Sequence, residues 1–377
     1  MRSRPDVAVV GGGPAGSRAA ELLAAAGASV TLLDPRVPWE KPCGGGLTAA
    51  ALRNTPELEE LGAAMTRVHE LVVVAPSGAK VSVPLSTPWS VVSRTALSAW
   101  GLERARAAGA IFRPTGARRV RREAHGWTVE TDDGGVFRAQ YLVAADGAAS
   151  RLRPMLAPRL HPRLDAARVA YPQAGVERGR AVFWFLPGAR AYAWDFPRPL
   201  HHSVGAVAPP KTRDRAALDR AIHAYRQQSA GPEPLTPAGA AIGTSLWRSG
   251  GFDDMAGREW VLLGDAAGLA DPATGEGIDY ALRSASLAAR AFTSGGFTAY
   301  PALARAAFGS EVRRARWVIR LIYRPRVIDV LVRGAGRSRK VSALLRALAD
   351  AVNEHRSLMA AIARTQPKAK ETAWRSS

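Results

Sequence analysis

Three glycines near the start of the chain, Gly11, Gly13 and Gly16, have the spacing of a turn that binds the phosphates of a dinucleotide. Because glycine has no side chain, the first allows a tight turn, the second lets a pyrophosphate approach and the third lets a helix pack closely. Pro14 and Ala15 belong to the same turn. We therefore predict that these five residues bind a dinucleotide.

The elements that must position this turn follow in the expected order. An apolar run over Asp6–Val10 precedes it, and residues 17–26 after it are rich in alanine and leucine, as in a helix. A second apolar run, Ser29–Leu33, ends at Asp34, about 20 residues beyond the glycines, where a carboxylate can accept hydrogen bonds from an adenosine ribose. The glycines alone would also fit an ordinary turn. A strand, a helix and a terminal acid in this order favour a nucleotide site, with the helix N-terminus facing the phosphates.

Three further segments place glycine beside residues that can do chemistry. Residues 146–153 and 264–268 resemble the second and third fingerprints of the flavoprotein hydroxylase superfamily, which implies a tightly bound FAD. Residues 41–46 place the single cysteine of the chain before three glycines, which would let this loop pass close to the flavin ring. The candidate FAD contacts in these segments and in the loop over residues 272–278 are Cys43, Gly44, Gly45, Asp146, Gly147, Gly264, Asp265, Gly275, Gly277 and Ile278.

Two of these contacts and one arginine have predicted roles. The carboxylate of Asp265 would accept hydrogen bonds from the ribityl chain of FAD. Residues 272–278 lead into a helix whose N-terminus would stabilise the negative charge of a reduced flavin. Arg94 opens a predicted helix and is a candidate cation for the pyrophosphate or the ribityl chain, the alternative being a solvated arginine at a helix end. Only one dinucleotide fingerprint is present, so NADPH, NADH or another electron donor would have to bind transiently.

A narrower resemblance covers roughly residues 5–295. Residues 41–47, 264–269 and 272–278 are similar to segments of the geranylgeranyl reductase family. Residues 192–197 are similar to the Tyr-x-Trp-x-Phe-Pro motif of that family's substrate domain. The resemblance implies that reduced flavin gives a hydride to an isolated double bond of a polyprenyl lipid or quinone side chain, while the other carbon receives a proton. Cys43 is the candidate to position or supply that proton, since a neutral thiol costs little in an apolar cavity.

The aromatic residues suit such a substrate. In extended strands Tyr192, Trp194 and Phe196 point to one face, as do Phe183 and Phe185 on the preceding strand. Two such strands side by side would form an aromatic wall against which an apolar chain can be buried. The alternative is that these rings are only the core of a sheet.

The order of the elements predicts an α/β fold, α+β overall. A Rossmann-like FAD-binding domain is expected over residues 1–160 and 245–297, with an inserted β-meander that turns at Asp132-Asp133-Gly134-Gly135. A β-sheet substrate domain is expected over residues 161–244, a basic helical region over residues 298–365 and a disordered tail over residues 366–377.

The chain is strongly basic. It has 377 residues, 52 Lys plus Arg against 32 Asp plus Glu, and a net charge of +20, which favours anionic partners such as a phosphorylated nicotinamide or an anionic lipid. Part of this excess could be compositional bias, since arginine is abundant throughout. The six arginines interleaved with apolar residues near the end would suit a basic amphipathic helix on a membrane, or a helix that caps the substrate domain: Arg313, Arg314, Arg316, Arg320, Arg324 and Arg326.

The remaining expectations concern class and location. A single cysteine excludes a disulfide framework and a cysteine-based metal site, and no metal is predicted. A first strand at residue 6 leaves no room for a signal peptide, so a cytoplasmic protein is expected, with a peripheral position at the inner membrane face as the alternative. The competing functions are an FAD monooxygenase, a halogenase, or a membrane or nucleic-acid binder in which flavin is only structural. No specific nucleic-acid motif accompanies the basic residues.

Overall fold

The computed structural model describes residues 6–172, 179–186, 191–208, 239–271, 274–322 and 324–355. The strands are β1 (Asp6–Val10), β2 (Ser29–Leu33), β3 (Gly46–Leu47), β4 (Met65–Val74), β5 (Lys80–Val92), β6 (Ile111–Arg113), β7 (Ala117–Glu123), β8 (Gly126–Thr131), β9 (Val136–Ala139), β10 (Tyr141–Ala144), β11 (His161–Ala170), β12 (Arg180–Phe185), β13 (Tyr192–Pro197), β14 (His202–Ala208), β15 (Gly239–Ser249) and β16 (Trp260–Leu262). The α-helices are α1 (Pro14–Ala25), α2 (Ala49–Asn54), α3 (Arg94–Ala107), α4 (Arg153–Leu156), α5 (Ile278–Phe292), α6 (Tyr300–Ile322), α7 (Pro325–Ala335) and α8 (Arg339–Asn353).

Five short apolar strands form a parallel sheet in the order β16-β10-β1-β2-β6. The central strands are buried on both faces, as expected when helices cover a parallel sheet, and α1 packs against both α3 and α5. The carboxyl ends of β1, β2, β10 and β16 therefore lie together at one edge, where ligands bind in open α/β sheets. The predicted α/β class is confirmed.

The second sheet has eight strands in the order β15-β11-β14-β13-β12-β4-β5-β3. Its pairs are antiparallel except β12 with β4, which run parallel. Three of its strands, β3 to β5, come from residues 46–92, which the sequence-based division assigned to the nucleotide domain. The apolar residues of the β4–β5 hairpin pack against α7 and α8 and against the aromatic residues of β12 and β13, so the second sheet is assembled from two separate stretches of chain.

The remaining elements attach to these sheets. β7, β8 and β9 form a three-stranded antiparallel meander, as predicted, with Gly134 in the left-handed conformation (φ 84°) at the second turn. Helices α7 and α8 pack on β5, where Ile328, Val332 and Leu345 bury their side chains. In the described part of the chain, no helix has both the length and the apolar character that crossing a membrane requires.

Candidate active site

The glycine turn between β1 and α1 leaves open space at a helix N-terminus. Gly11 has φ +102°, and a Cβ on Gly16 would lie 1.7 Å from the Gly11 carbonyl oxygen, so helix and turn are in direct contact. A Cβ on Gly13, by contrast, would have nothing within 4 Å. Gly13 is the N-cap of α1 and no side chain caps this helix, so its first N–H groups face that space. Pro14 and Ala15 begin the helix.

Asp34 holds the turn in place from the end of β2. Its Oδ2 accepts a hydrogen bond from the Gly12 N–H at 2.8 Å, and its Oδ1 accepts from the Arg36 N–H at 2.8 Å and the Val37 N–H at 3.2 Å. The carboxylate is thus fixed beside the glycine turn. This is the position from which an acid reaches an adenosine ribose.

The segments that follow β10 and β16 meet the glycine turn. A Cβ on Gly11 would lie 2.3 Å from the Ala145 carbonyl oxygen, and one on Gly264 would lie 3.1 Å from the Ala15 Cβ. The Oδ2 of Asp146 accepts hydrogen bonds from the N–H groups of Arg151 and Leu152, and Gly147 takes φ +82°. The fold therefore brings together three glycine segments that are more than a hundred residues apart in the chain.

Arg153 fixes two of these loops to each other. Its guanidinium is buried and donates to the Ala148 carbonyl and the Ala266 carbonyl, each at 3.0 Å. Burial lowers the pKa of this guanidinium. No role for Arg153 follows from the sequence alone, although Arg153 lies within the segment that resembles the second fingerprint.

A lysine from the cysteine loop reaches the third segment. Lys41 Nζ lies 3.0 Å from Asp265 Oδ2. Beyond Asp265, Gly275 takes φ +74° and Gly277 is the N-cap of α5, whose first residue Ile278 is buried. A Cβ on Gly277 would lie 3.2 Å from Asp265 Oδ1, so this loop lies against the acid. Lys41 is a contact that sequence reasoning did not single out.

Arg94 lies at the start of α3 with a buried side chain. Its backbone N–H donates to Glu40 Oε1 at 3.0 Å, and Glu40 also accepts from Thr95. Arg94 is therefore not a solvated arginine at a helix end, which was the alternative. Within the described residues, its Nε and the Oδ1 of Asp146 are buried without a hydrogen-bond partner. Buried polar atoms without a partner suit a bound polar ligand, and Asp146 lies just beyond the carboxyl end of β10.

Cys43 lies half-buried beside two cations. Burial raises the pKa of its thiol, but the charges of Arg94 and Lys41 and a hydrogen bond from the Gly45 N–H lower it more, so the net pKa lies below the usual value. The neighbouring Gly45 takes φ +77°, and a Cβ there would lie 2.1 Å from the Val92 carbonyl oxygen. The loop thus needs glycine at this position.

Arg198 anchors the cysteine loop from the other sheet. It is 1% exposed, and its Nη2 donates to the Cys43 carbonyl at 2.7 Å and to the Gly44 carbonyl at 3.3 Å. Its Nη1 donates to Glu40 at 2.7 Å. Ser203 adds a second donor to the Cys43 carbonyl, at 3.0 Å. Arg198 follows the aromatic motif directly, which is the only sequence signal that could have identified it.

The titratable groups around this loop differ in their proton affinity. Burial raises the pKa of Glu40, but Arg198 and the N–H groups of α3 lower it more, so Glu40 is held ionised. Burial raises the pKa of Tyr171 to about 12. Burial and the charge of Arg198 lower the pKa of His201, which favours its neutral form. Glu40 has no proton to give, the pKa of Tyr171 is about 12 and neutral His201 is a very weak acid, so Cys43 is the best suited of the four to donate a proton.

The aromatic residues form one connected surface. Phe183 is paired with Trp194 and Phe185 with Tyr192 across β12 and β13. Ring centroids of Phe183 lie 5.1 Å from Phe196 and 5.9 Å from Tyr192. We call these five rings the aromatic wall. Trp89 of β5, which sequence reasoning missed, packs on it with its ring 5.0 Å from Phe196 and 6.1 Å from Phe183.

The aromatic wall touches the cysteine loop and the loop before α5, which are both predicted to contact FAD. A Cβ on Gly44 would lie 2.7 Å from Phe196 Cε2. The hydroxyl of Tyr192 donates a hydrogen bond to the Thr274 carbonyl, and a Cβ on Gly275 would lie 3.2 Å from that hydroxyl. The predicted cofactor contacts and the predicted substrate contacts are thus neighbours in space.

A buried ion network fastens the C-terminal end of the described chain to the loop before α5. His355 lies 3.3 Å from Glu276 and 3.5 Å from Asp279. Burial alone would lower the pKa of His355, but the hydrogen bond to Glu276 and the charges of Asp279 and Glu311 raise it to about 9. Arg283 pairs with Asp279 and Glu311, each at 3.0 Å, so two cations face three acids in this network. Sequence reasoning did not identify this network.

The residues present fit FAD: an open space lies at the N-terminus of α1, Asp34 is beside it, and buried polar atoms without a partner occur on Asp146 after β10 and on Arg94 beside the cysteine loop. The fold and this site define an FAD-dependent oxidoreductase. The model of a family described as FAD binding domain matches residues 4–170.

Known proteins extend this assignment over most of the chain. A menaquinone reductase of Mycolicibacterium smegmatis is 34% identical over 371 residues, covering 88% of this chain and 87% of its own. A geranylgeranyl diphosphate reductase of Rhodobacter capsulatus is 31% identical, covering 84% and 83%. The crystal structure of a geranylgeranyl bacteriochlorophyll reductase-like protein of Thermoplasma acidophilum superposes with a TM-score of 0.75 at 20% identity, covering 96% and 99%. The chain belongs to the geranylgeranyl reductase family of FAD-dependent oxidoreductases.

Proposed function

We propose that the protein reduces isolated carbon–carbon double bonds in the polyprenyl chain of a lipid or of a quinone. The observation that carries this proposal is the contact between Gly44 and Phe196, where a Cβ would lie 2.7 Å from the ring. It places the cysteine loop directly on the aromatic wall. A polyprenyl chain held on that wall offers little but apolar surface, and burial of that surface supplies about 25 cal/mol per Å². The names of the two relatives support a substrate of this class.

When bound and reduced, FAD supplies the hydride for such a reaction. The residues of this chain then have separate tasks. Cys43 delivers a proton from Sγ to the second carbon of the double bond and takes up a proton from water afterwards. Arg198 and Ser203 hold the backbone on which the thiol is mounted. The aromatic wall excludes water from the double bond and orients the chain.

The two electrons of each turnover come from a donor. We propose NADPH or NADH, bound transiently, or another reductant in their place. The basic charge of the chain, +20, favours a phosphorylated donor. We assign no residue of the chain to it.

The basic C-terminal region is proposed to face an anionic membrane that contains the substrate, on a protein that is otherwise cytoplasmic. For the arginines singled out in the sequence, the side chains over residues 316–320 lie outside the described residues. Arg314 donates a hydrogen bond to the His355 carbonyl at 3.0 Å and is therefore engaged within the protein. Arg313, Arg324 and Arg326 are exposed. The tail over residues 366–377 also lies outside the described residues.

The experiment that tests the function is anaerobic. The flavin-loaded protein is reduced chemically and mixed with a geranylgeranyl-bearing lipid or a polyprenyl quinone, and the products are analysed by mass spectrometry. A gain of two hydrogens per turnover is expected. No change without oxygen, followed by addition of one oxygen atom when air is admitted, would replace this proposal with the monooxygenase.

A further inference from the structure

A cavity of about 580 Å³ lies between β5 and the two helices α7 and α8. Its floor is apolar and includes Val81, Val83 and Leu345, and its rim carries Arg337, Arg339 and Arg346. We call this cavity the arginine groove. It lies apart from the glycine turn and the cysteine loop, in the part of the basic C-terminal region that α7 and α8 form.

The cations of the groove are available to a ligand. Arg337 and Arg339 are exposed, and within the described ranges neither forms an ion pair. Arg346 is partly engaged, since its Nη2 donates to Ser86 Oγ at 3.3 Å and its Nε lies 4.0 Å from Asp350. The Asp350 carboxylate also accepts from the N–H and the hydroxyl of Ser86. Among the described residues, two of the three guanidinium groups thus have no acid paired with them.

The groove opens on a surface that is both basic and apolar. Further exposed cations on the same helical hairpin are Arg324, Arg326, Arg333 and Lys340. Val330 is 70% exposed and Leu344 40% exposed, although both are large apolar residues. Asp329, the one acid between residues 324 and 340, accepts a hydrogen bond from the Ser77 N–H. Cations interleaved with exposed apolar side chains fit an anionic bilayer surface, where the cations meet phosphates and the apolar side chains enter the interface.

The groove and the aromatic wall lie on one face of the second sheet. Val81 is paired with Val73, and Val73 with Phe183, so the side chains of these three residues point to the same side. Phe185 at the end of the wall packs against the apolar cluster that contains Val83 and Leu345. A phosphate at the groove and an apolar chain on the wall would therefore be on the same face of the second sheet.

We propose that the arginine groove binds the phosphate of an anionic lipid headgroup, and that it thereby docks α7 and α8 on a membrane surface. This inference rests on the proposed function only for its purpose, which is to bring the enzyme to a lipid substrate. Arg324 and Arg326 at the start of α7 are among the basic residues singled out in the sequence, and the cavity with Arg337 and Arg339 adds a specific phosphate site beside them.

The test is cosedimentation of the flavin-loaded protein with vesicles of phosphatidylglycerol and phosphatidylcholine, with vesicles of phosphatidylcholine alone as reference. The double variant Arg337→Glu and Arg339→Glu is compared with Arg119→Glu and Arg138→Glu, which changes the net charge equally on exposed positions of the meander. We expect the Arg337/Arg339 variant to bind the anionic vesicles roughly tenfold or more weakly than the wild type, and the Arg119/Arg138 variant to bind them as the wild type does.

Equal loss in both variants, or binding of the wild type to phosphatidylcholine alone at the same strength, would overturn the proposal. Reduction of a detergent-solubilised substrate is measured in parallel. Loss of vesicle binding with normal turnover in detergent supports the arginine groove as the membrane-binding site. Absence of turnover in every variant and in the wild type would contradict the proposed function, and the vesicle result would still test the groove.

Discussion

Arg198 Nη2 donates a hydrogen bond of 2.7 Å to the carbonyl oxygen of Cys43, across 155 residues of sequence. This contact links the second sheet to the cysteine loop, and the same guanidinium forms an ion pair with Glu40, which accepts from the N-terminus of α3. A buried arginine with this many acceptors fixes the position of the loop more tightly than packing alone could.

Replacement of Arg198 by Lys should keep a positive charge next to Glu40 but lose the forked geometry. We expect the free energy of unfolding to fall by about 1.5 to 3 kcal/mol for a lost charged hydrogen bond, and kcat to fall more than KM rises. Urea unfolding and steady-state kinetics with a prenyl substrate measure the two effects. The matched control is Arg106→Lys at an exposed position of α3. Unchanged kinetics in the Arg198 variant would show that the cysteine loop keeps its position without the hydrogen bonds from the guanidinium.

The thiol of Cys43 should react with iodoacetamide at lower pH than an ordinary cysteine, because Arg94 and Lys41 lower its pKa. The chain has a single cysteine, so the labelled site is unambiguous. In the flavin-free protein, Arg94→Gln should move the pH midpoint of alkylation upward, while Arg106→Gln should leave it in place. A midpoint that does not respond to Arg94 would contradict the assigned cause.

Turnover should also depend on the ionisation of Cys43, but kcat should fall with rising pH whereas alkylation becomes faster. A proton donor must be protonated, so kcat should fall as pH rises through the lowered pKa of Cys43. Cys43→Ser should abolish that decline, since a hydroxyl does not titrate in this range, and should reduce kcat by about 10² or more. Full turnover in Cys43→Ser with flavin normally bound would assign the proton to water.

Two glycines of the first turn should respond differently to a methyl group. Gly16→Ala places a Cβ 1.7 Å from the Gly11 carbonyl oxygen, so the flavin-free protein should lose stability. Gly13→Ala meets nothing within 4 Å, so its stability should be kept, but the methyl group should enter the space assigned to the pyrophosphate. We expect FAD affinity to fall about tenfold or more in Gly13→Ala, equivalent to ~1.4 kcal/mol. Thermal unfolding without FAD and flavin titration separate the two cases.

His355 should make stability depend on pH in the alkaline range. Its pKa is about 9 in the folded protein and about 6.5 when unfolded. The folded state therefore binds the proton more tightly, so this contribution is fully present below about pH 6.5 and is lost as pH rises through 9. The expected loss is of the order of 2 to 3 kcal/mol. His355→Gln should flatten the difference between pH 6.5 and 9.5 in denaturant unfolding, and His125→Gln, at an exposed position, should not.

The role of the aromatic wall can be separated from that of a sheet core. Phe183→Ala should raise KM for a prenyl substrate by about tenfold or more, which corresponds to ~1.4 kcal/mol, while flavin binding is kept. Trp184→Ala changes the next residue, which faces the other side of β12. If both variants lose stability and neither changes KM, the rings are core and the substrate lies elsewhere.

Much of the cofactor site followed from local sequence. The first 34 residues contain the apolar run of β1, the three spaced glycines and Asp34. The structure forms a strand, a turn and a helix there, as predicted, because each of these conformations depends on residues that are close in sequence. The meander and the shared face of Tyr192, Trp194 and Phe196 also followed from local alternation.

Contacts between distant segments did not follow from the sequence. Lys41 with Asp265, Arg198 with the Cys43 carbonyl, and His355 with Glu276 are charged or polar pairs whose partners lie 79 to 224 residues apart in the chain. The same holds for the two stretches that build the second sheet and for the cavity between β5 and the last helices. Local periodicity and spacing determine which elements form, whereas the pairing of remote strands and of buried charges depends on how those elements pack, so only the tertiary structure decided it.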